Sequence, residues 1–322
     1  MRPELVLRGV IPANLMAFDS ELEIDEENYR GHLRYLVDTP GVAGTNAHAS
    51  EVATLTFEEQ QRVLEITLDE VAGSVPVVSG VYEDGTNKAV RIAKSAERQG
   101  ADCLLVFPST VYDFGHQLRP EMAYGHIAQI AETVSLPIIV FVYPGASGLH
   151  IPTDSLVRIC DEVDNVIAVK EWSNDIGVYE QNWRELKALD KEISLLSSFS
   201  KSLLASLCVG ADGILSGHGS VVADLHVEMF EAVQRGDLAG ARRVADRIYP
   251  VVQATYAEPF LDGHNRMKEA LAILGRIDEA HVRPPLRRIS DAEREKIRRV
   301  VTEAELPAGR REQSYAAPGR RV

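Results

Sequence analysis

Eight short, almost wholly apolar runs, each followed by a stretch of helical spacing, constrain this chain more than any other feature of its 322 residues. The runs are Gly9–Asn14, Gly41–Thr45, Val75–Ser79, Asp102–Phe107, Ile138–Val142, Val166–Lys170, Ser194–Ser197 and Gly213–Ser216. A strand wetted on one side alternates apolar and polar residues, whereas a strand covered on both faces does not. The runs therefore predict a parallel sheet with helices packed against it.

The stretches between them supply the helices. Asp25–Asp38 carries Tyr29, Leu33, Leu36 and Val37 at helical spacing. Thr56 followed by Glu59 reads as a capping box that opens a helix with Val63, Leu64, Ile66, Thr67 and Val71 on one side. Thr86–Gln99 ends at Gly100, a residue suited to the left-handed turn that closes a helix. Pro120–Val134, Thr153–Val163, Asp175–Leu189, Ser200–Val209 and Val222–Arg235 complete the series. Eight β-then-α units predict an α/β fold, a (β/α)8 TIM barrel over 1–235. A doubly wound open sheet is the alternative. It is disfavoured by the number of units and by the lack of a Gly-x-Gly-x-x-Gly after the first strand. From 236 to 306 the pattern turns purely helical (Asp237–Tyr249, Val251–Glu258, Asn265–Leu274 and Asp291–Thr302), which predicts a C-terminal helical extension. Residues 307–322 mix Gly, Arg, Pro and Ala without an apolar period and are expected to be a disordered tail.

A formal net charge of −14 argues against nucleic acid or an anionic membrane surface as the main partner. It leaves open a small anionic substrate in a locally positive pocket. Cys103, Cys160 and Cys208 are scattered in apolar runs and are expected to be buried small hydrophobes in a reducing compartment. No basic-then-apolar leader pattern and no membrane-length apolar run is present, so a cytoplasmic location is the expectation.

In such barrels the active site sits at the C-terminal ends of the strands. Lys170 ends the run Asn165-Val166-Ile167-Ala168-Val169-Lys170 and would enter the barrel mouth among apolar neighbours. Desolvation disfavours an ammonium, and the neutral amine so produced attacks a ketone to form an imine, an electron sink for carbon–carbon cleavage. The same position also suits a lysine that snorkels to solvent.

The ordered set of motifs resembles the dihydrodipicolinate synthase / N-acetylneuraminate lyase family of class I, pyruvate-dependent aldolases, over roughly residues 5 to 303. Val169-Lys170-Glu171 looks like the family's lysine motif. Gly9-Val10-Ile11-Pro12 with Phe18-Asp19 looks like its opening strand and loop. Glu51-Val52-Ala53-Thr54-Leu55-Thr56 looks like the stretch after its carboxylate-binding loop. Gly213-Ile214-Leu215-Ser216 looks like its eighth strand, and Glu258-Pro259 with Lys268 its C-terminal helices. The resemblance implies a Schiff-base lyase, an aldolase or dehydratase, acting on a small-molecule 2-oxo acid with pyruvate as donor or product. It implies a covalent imine at Lys170 with no cofactor and no metal, and a homotetramer built as a dimer of dimers.

The departures are specific. The family's Gly-Thr-Thr-Gly-Glu loop is matched by Ala47-His48-Ala49-Ser50-Glu51, with both hydroxyl positions replaced. Backbone amides near Ala49 and Ser50 are expected to hold the carboxylate, with Ser50 a candidate hydroxyl. The family's Tyr-Asn-x-Pro is matched by Phe141-Val142-Tyr143-Pro144, so the catalytic tyrosine position holds Phe141. Tyr143, two residues on and on the same strand face, is one candidate for proton transfer, and His48, which titrates in the useful range, is the other. Phe141, Leu215 and Ser216 are expected to line the substrate site. Ala146 stands where the dihydrodipicolinate branch has an arginine, and Pro108-Ser109-Thr110, with Tyr112 nearby, where the family has an aromatic pair. His116, His218, His226 and Glu51 raise a metal site, but no close ligand spacing supports one. Gly217-His218-Gly219-Ser220 reads either as an anion cradle at a helix start or as a turn that needs glycine. The alternative to a lyase is a non-catalytic small-molecule-binding protein on the same barrel, since fold does not fix function.

Overall fold

The apolar runs pair side by side in one parallel sheet. The computed structural model describes residues 5–38, 45–46 and 48–309, with the side chains of residues 45, 46 and 48 outside that description. Its strands are β1 (Gly9–Pro12), β2 (Thr45–Asn46), β3 (Val78–Val81), β4 (Cys103–Val106), β5 (Ile138–Val142), β6 (Val166–Glu171), β7 (Ser194–Ser197) and β8 (Gly213–Ser216). Their order is β1-β8-β7-β6-β5-β4-β3-β2, every neighbouring pair parallel. The first strand thus lies against the last, with Gly9 beside Gly213 and Pro12 beside Ser216. Residues 41–44 of the second predicted strand lie outside the described residues.

Helices follow the strands: α1 (Glu26–Val37), α2 (Phe57–Val71), α3 (Thr86–Gln99), α4 (Glu121–Ala131), α5 (Thr153–Glu162), α6 (Ile176–Lys187), α7 (Leu203–Val209) and α8 (Gly219–Gln234). The capping box forms as predicted: Glu59 N–H donates to Thr56 Oγ1 and Thr56 N–H to the Glu59 carboxylate. Gly100 closes α3 at φ 102°, a left-handed conformation. The strands β3 to β8 are buried almost throughout, as two-sided cover requires.

Four expectations need correction. The third strand begins at Val78 rather than Val75, because Pro76 has no N–H and the Val77 N–H is taken by the Asp102 carboxylate. The last helix of the series starts at Gly219 rather than Val222, which instead marks a kink at φ −127°, ψ 38°. The stretches Asp237–Tyr249 and Val251–Glu258 are one helix, α9 (Leu238–Thr255), which runs through Pro250 and buries Val251 and Val252 just beyond it. Cys208, unlike Cys103 and Cys160, is exposed. Two further helices, α10 (Gly263–Ile273) and α11 (Asp291–Glu303), follow α9. Of the expected tail, Pro307 and Gly309 are anchored by hydrogen bonds (the Arg276 guanidinium to Pro307 O, 2.8 Å; Gly309 N–H to Leu274 O, 2.7 Å), and residues 310–322 lie outside the described residues. Among the described residues no helix is long and apolar enough to cross a membrane.

Candidate active site

Side chains two apart on a strand share a face, so the strand ends build the site in tiers. In the lower tier Lys170 on β6 is in register with Phe141 on β5 and Leu196 on β7. Continuing the register one residue past β3 and β4 brings Tyr82 beside Phe107 and Phe107 beside Phe141. The rings meet accordingly, at centroid distances of 5.3 Å for Tyr82–Phe107 and 5.3 Å for Phe107–Phe141. In the upper tier, Tyr143 and Trp172 lie two residues beyond Phe141 and Lys170 and meet edge to face at 5.4 Å.

Lys170 is 3% exposed. Its Nζ lies 3.9 Å from the centre of the Phe141 ring, and among the described residues no carboxylate pairs with it. Burial pushes its ammonium down from the usual lysine range to about 7. The face of the Phe141 ring, which attracts a cation, works the other way. A large fraction of the amine is therefore neutral at neutral pH, the form that attacks a carbonyl.

Tyr143 is buried, 4.6 Å ring to ring from Phe141, and burial pushes its phenol far above the ordinary range. It therefore stays protonated at neutral pH and can donate a hydrogen bond. The wall of rings continues past it. Trp172 meets Phe260 (5.2 Å), Phe260 stacks on Tyr256 (5.3 Å, planes 9° apart), and Tyr256 meets His218 (5.8 Å). Phe260 and Tyr256, which follow α9, were not singled out in the sequence. Trp172 stands two residues past Lys170, and that spacing is the sequence signal for it.

The loop after β2 is a 3-10 turn, His48–Ser50. The side chain of His48 lies outside the described residues. Ala49 and Ser50 are buried, and the Ser50 hydroxyl donates its hydrogen to Asn14 O (2.6 Å), tying this loop to the end of β1. That commitment leaves Ser50 an acceptor, not a donor, toward a substrate carboxylate. Glu51 follows in the left-handed region at φ 53°, a strained setting for a non-glycine residue. It is held there by an ion pair with Lys268 of α10 and by the Arg283 N–H (3.4 Å). Lys268 is wholly buried and also donates to His281 O (2.6 Å).

Leu215 and Ser216 are buried on β8. Ser216 Oγ bonds Ser200 Oγ (2.8 Å) and accepts from His218 N–H (3.2 Å), and Ser200 donates to Tyr256 Oη (3.3 Å). The glycines of the next turn are there for packing. A Cβ on Gly219 would lie 3.1 Å from Pro12 Cα, and one on Gly217 3.2 Å from Ala49 Cβ. Ser220 Oγ is also engaged, donating to Ala13 O (2.9 Å) and accepting from Leu15 N–H (3.1 Å). Close packing alone is sufficient to require glycine at both positions.

Tyr112 stacks on His116 at 4.7 Å. Glu51 is paired with Lys268, and His218 and His226 lie ring to ring at 5.8 Å. Among the described residues no three His, Cys, Asp or Glu side chains gather as metal ligands.

The family model for the dihydrodipicolinate synthetase family matches residues 6–304. The chain is 31% identical over 296 residues to 4-hydroxy-tetrahydrodipicolinate synthase of Methanopyrus kandleri, covering 91% of this chain and 95% of that protein. The crystal structure of dihydrodipicolinate synthase from Aquifex aeolicus superposes with a TM-score of 0.85 at 26% identity, covering 94% of this chain and 99% of that one. A monomeric dihydrodipicolinate synthase variant superposes with a TM-score of 0.86 at 28% identity, covering 93% and 97%. With its α/β fold, its parallel sheet and a match across nearly its whole length, the chain belongs to the dihydrodipicolinate synthetase family and is a class I lyase.

Proposed function

We propose that the chain is an aldolase or dehydratase that binds a 2-oxo acid, pyruvate as donor or product, as an imine on Lys170 Nζ. The observation that carries this reading is a buried, carboxylate-free lysine at a strand end, with its ammonium pushed down to about 7. The amine attacks the ketone carbon and water leaves. Protonated, the imine accepts the electron pair released when a bond to the neighbouring carbon breaks. Phe141, Leu215 and Ser216 line the site, and backbone amides near Ala49 and Ser50 hold the carboxylate in the turn that the Glu51–Lys268 pair fixes.

Proton transfer falls to Tyr143 and His48. Tyr143 stands one tier above Phe141, and burial keeps its phenol protonated, so it can offer a hydrogen bond to a developing oxyanion. His48, in the turn after β2, is the other candidate for proton transfer. The sheet closes β1 onto β2 as a (β/α)8 barrel over 1–235, with 236–306 as its helical extension. The Ser50-to-Asn14 bond across that seam supports closure. By family resemblance the protein is cytoplasmic and assembles as a homotetramer, although one structural relative is a monomeric variant.

The test is reduction with borohydride in the presence of pyruvate, followed by peptide mass mapping. The adduct is expected on Lys170 and absent from Lys170→Ala. A panel of 2-oxo acids that leaves Lys170 unmodified removes the covalent mechanism.

A further inference from the structure

The strand ends above Lys170 carry a continuous run of rings. From Phe107 through Phe141 and Trp172 to Phe260 and Tyr256, each ring touches the next at centroid distances of 5.2 to 6.1 Å. These residues come from β4, β5, β6 and the segment after α9, so the wall is assembled by the fold rather than by one local segment. Among the described residues Lys170 is the one cation lying over a ring of this wall. The serine hydroxyls at the far end of the wall are engaged, Ser200 with Ser216 and Tyr256, and Ser216 with the His218 N–H.

Against the ring faces, a reaction partner rich in hydroxyls or carrying a second carboxylate would lose much of its hydration and find few polar groups in exchange. Each unsatisfied polar group costs about 1–3 kcal/mol, and a charged one more. A planar aryl group instead gains about 0.5–1.5 kcal/mol per well-placed ring contact beyond the burial itself. We infer that the carbonyl partner of pyruvate in this enzyme is an aromatic aldehyde, so that the compound made or cleaved is a 4-aryl-4-hydroxy-2-oxobutanoate. This rests on the imine at Lys170.

The step balances. Pyruvate C2 condenses with Nζ and releases water, and C3 loses a proton to give the enamine. Enamine C3 then bonds to the aldehyde carbon, and the aldehyde oxygen takes a proton. Water finally hydrolyses the imine, freeing product and the Lys170 amine. Cleavage is the same sequence reversed.

The experiment uses the full chain with pyruvate and, in parallel, benzaldehyde, glyceraldehyde and succinic semialdehyde, with products read by mass spectrometry. Benzaldehyde is expected to exceed the other two in kcat/KM by about tenfold or more, roughly 1.4 kcal/mol. Trp172→Ala and, separately, Phe260→Ala are expected to shrink that ratio several-fold; a misfolded fraction would lower all three rates together and leave it unchanged. Borohydride trapping of pyruvate runs alongside. If Lys170 is trapped but glyceraldehyde or succinic semialdehyde is the better partner, the aryl assignment is overturned and the imine stands. If Lys170 is not trapped, the imine reading falls and takes the aryl assignment with it.

Discussion

Two lysines in this fold lose nearly all contact with water, and they do so in opposite company. Lys170, on β6, has the face of Phe141 beneath it and, among the described residues, no carboxylate beside it. Lys268, on α10, also lies over a ring, that of Phe18 at 4.5 Å, but it pairs with Glu51 and donates to His281 O. Burial pushes both ammonium groups down; at Lys268 the Glu51 charge pulls back up. Burial alone therefore does not mark a nucleophile. The missing counter-charge does, because it is what lets the amine shed its proton near neutrality. Lys268 is the structural counterpart: its pairing with Glu51 holds the strained turn.

The sharpest way to break the comparison is to remove each lysine. Lys170→Met is expected to lower turnover by about 10⁴-fold or more, as loss of a nucleophile does, and to abolish trapping. It is also expected to raise stability. With a folded-state value of about 7 against an unfolded value near 10.5, the wild-type amine binds a proton in the unfolded state and not in the folded state across that window. Folding stability at this residue therefore falls as pH drops from about 10.5 to 7, by about 4–5 kcal/mol, and stays down below 7. Urea unfolding of Lys170→Met near pH 7 should show the gain, and its stability should lack that part of the pH slope.

Lys268→Met is expected to do the reverse, destabilising by about 3–5 kcal/mol because the Glu51 carboxylate is left buried and unpaired. The double variant with Glu51→Gln should recover much of this; simple additivity would mean that the pair is not coupled.

A subtler test is the pH dependence of trapping. Single-turnover imine capture by wild type should rise through a midpoint near 7; a midpoint near that of an ordinary lysine would remove the desolvation argument. The smallest effect is expected from Phe141→Leu. Taking the ring from under Nζ removes a cation–π attraction of about 1–2 kcal/mol and should move that midpoint to lower pH. A shift upward would mean that the ring acts chiefly by excluding water.

The strands were legible because a two-sided cover writes itself as an unbroken apolar run, and β5, β7 and β8 appear at the predicted residues. Lys170 was legible for the same reason, as the charge that ends such a run. Pro250 misled, since a proline usually ends a helix, yet α9 continues through it and buries Val251 and Val252. The Glu51–Lys268 pair joins residues far apart in the chain, and nothing local in either sequence stretch foretells it. The ring wall was half legible. Phe107, Phe141 and Trp172 each stand at or just past a strand end, but Phe260 enters from beyond α9, and only the fold brings it to Trp172.

The seam between the first and last strands has a consequence for synthesis. Leu15 bonds Ser220 across 205 positions, and Gly9 must find Gly213 before the sheet is whole. A ribosome adding roughly 5–20 residues per second needs on the order of ten to forty seconds to cover that distance. During this interval β1 exists without β8, and Lys170 leaves the ribosome before the strand that completes its surroundings. The nascent chain thus carries an unpaired strand edge for most of its manufacture, and the reactive amine acquires its dry setting only near the end.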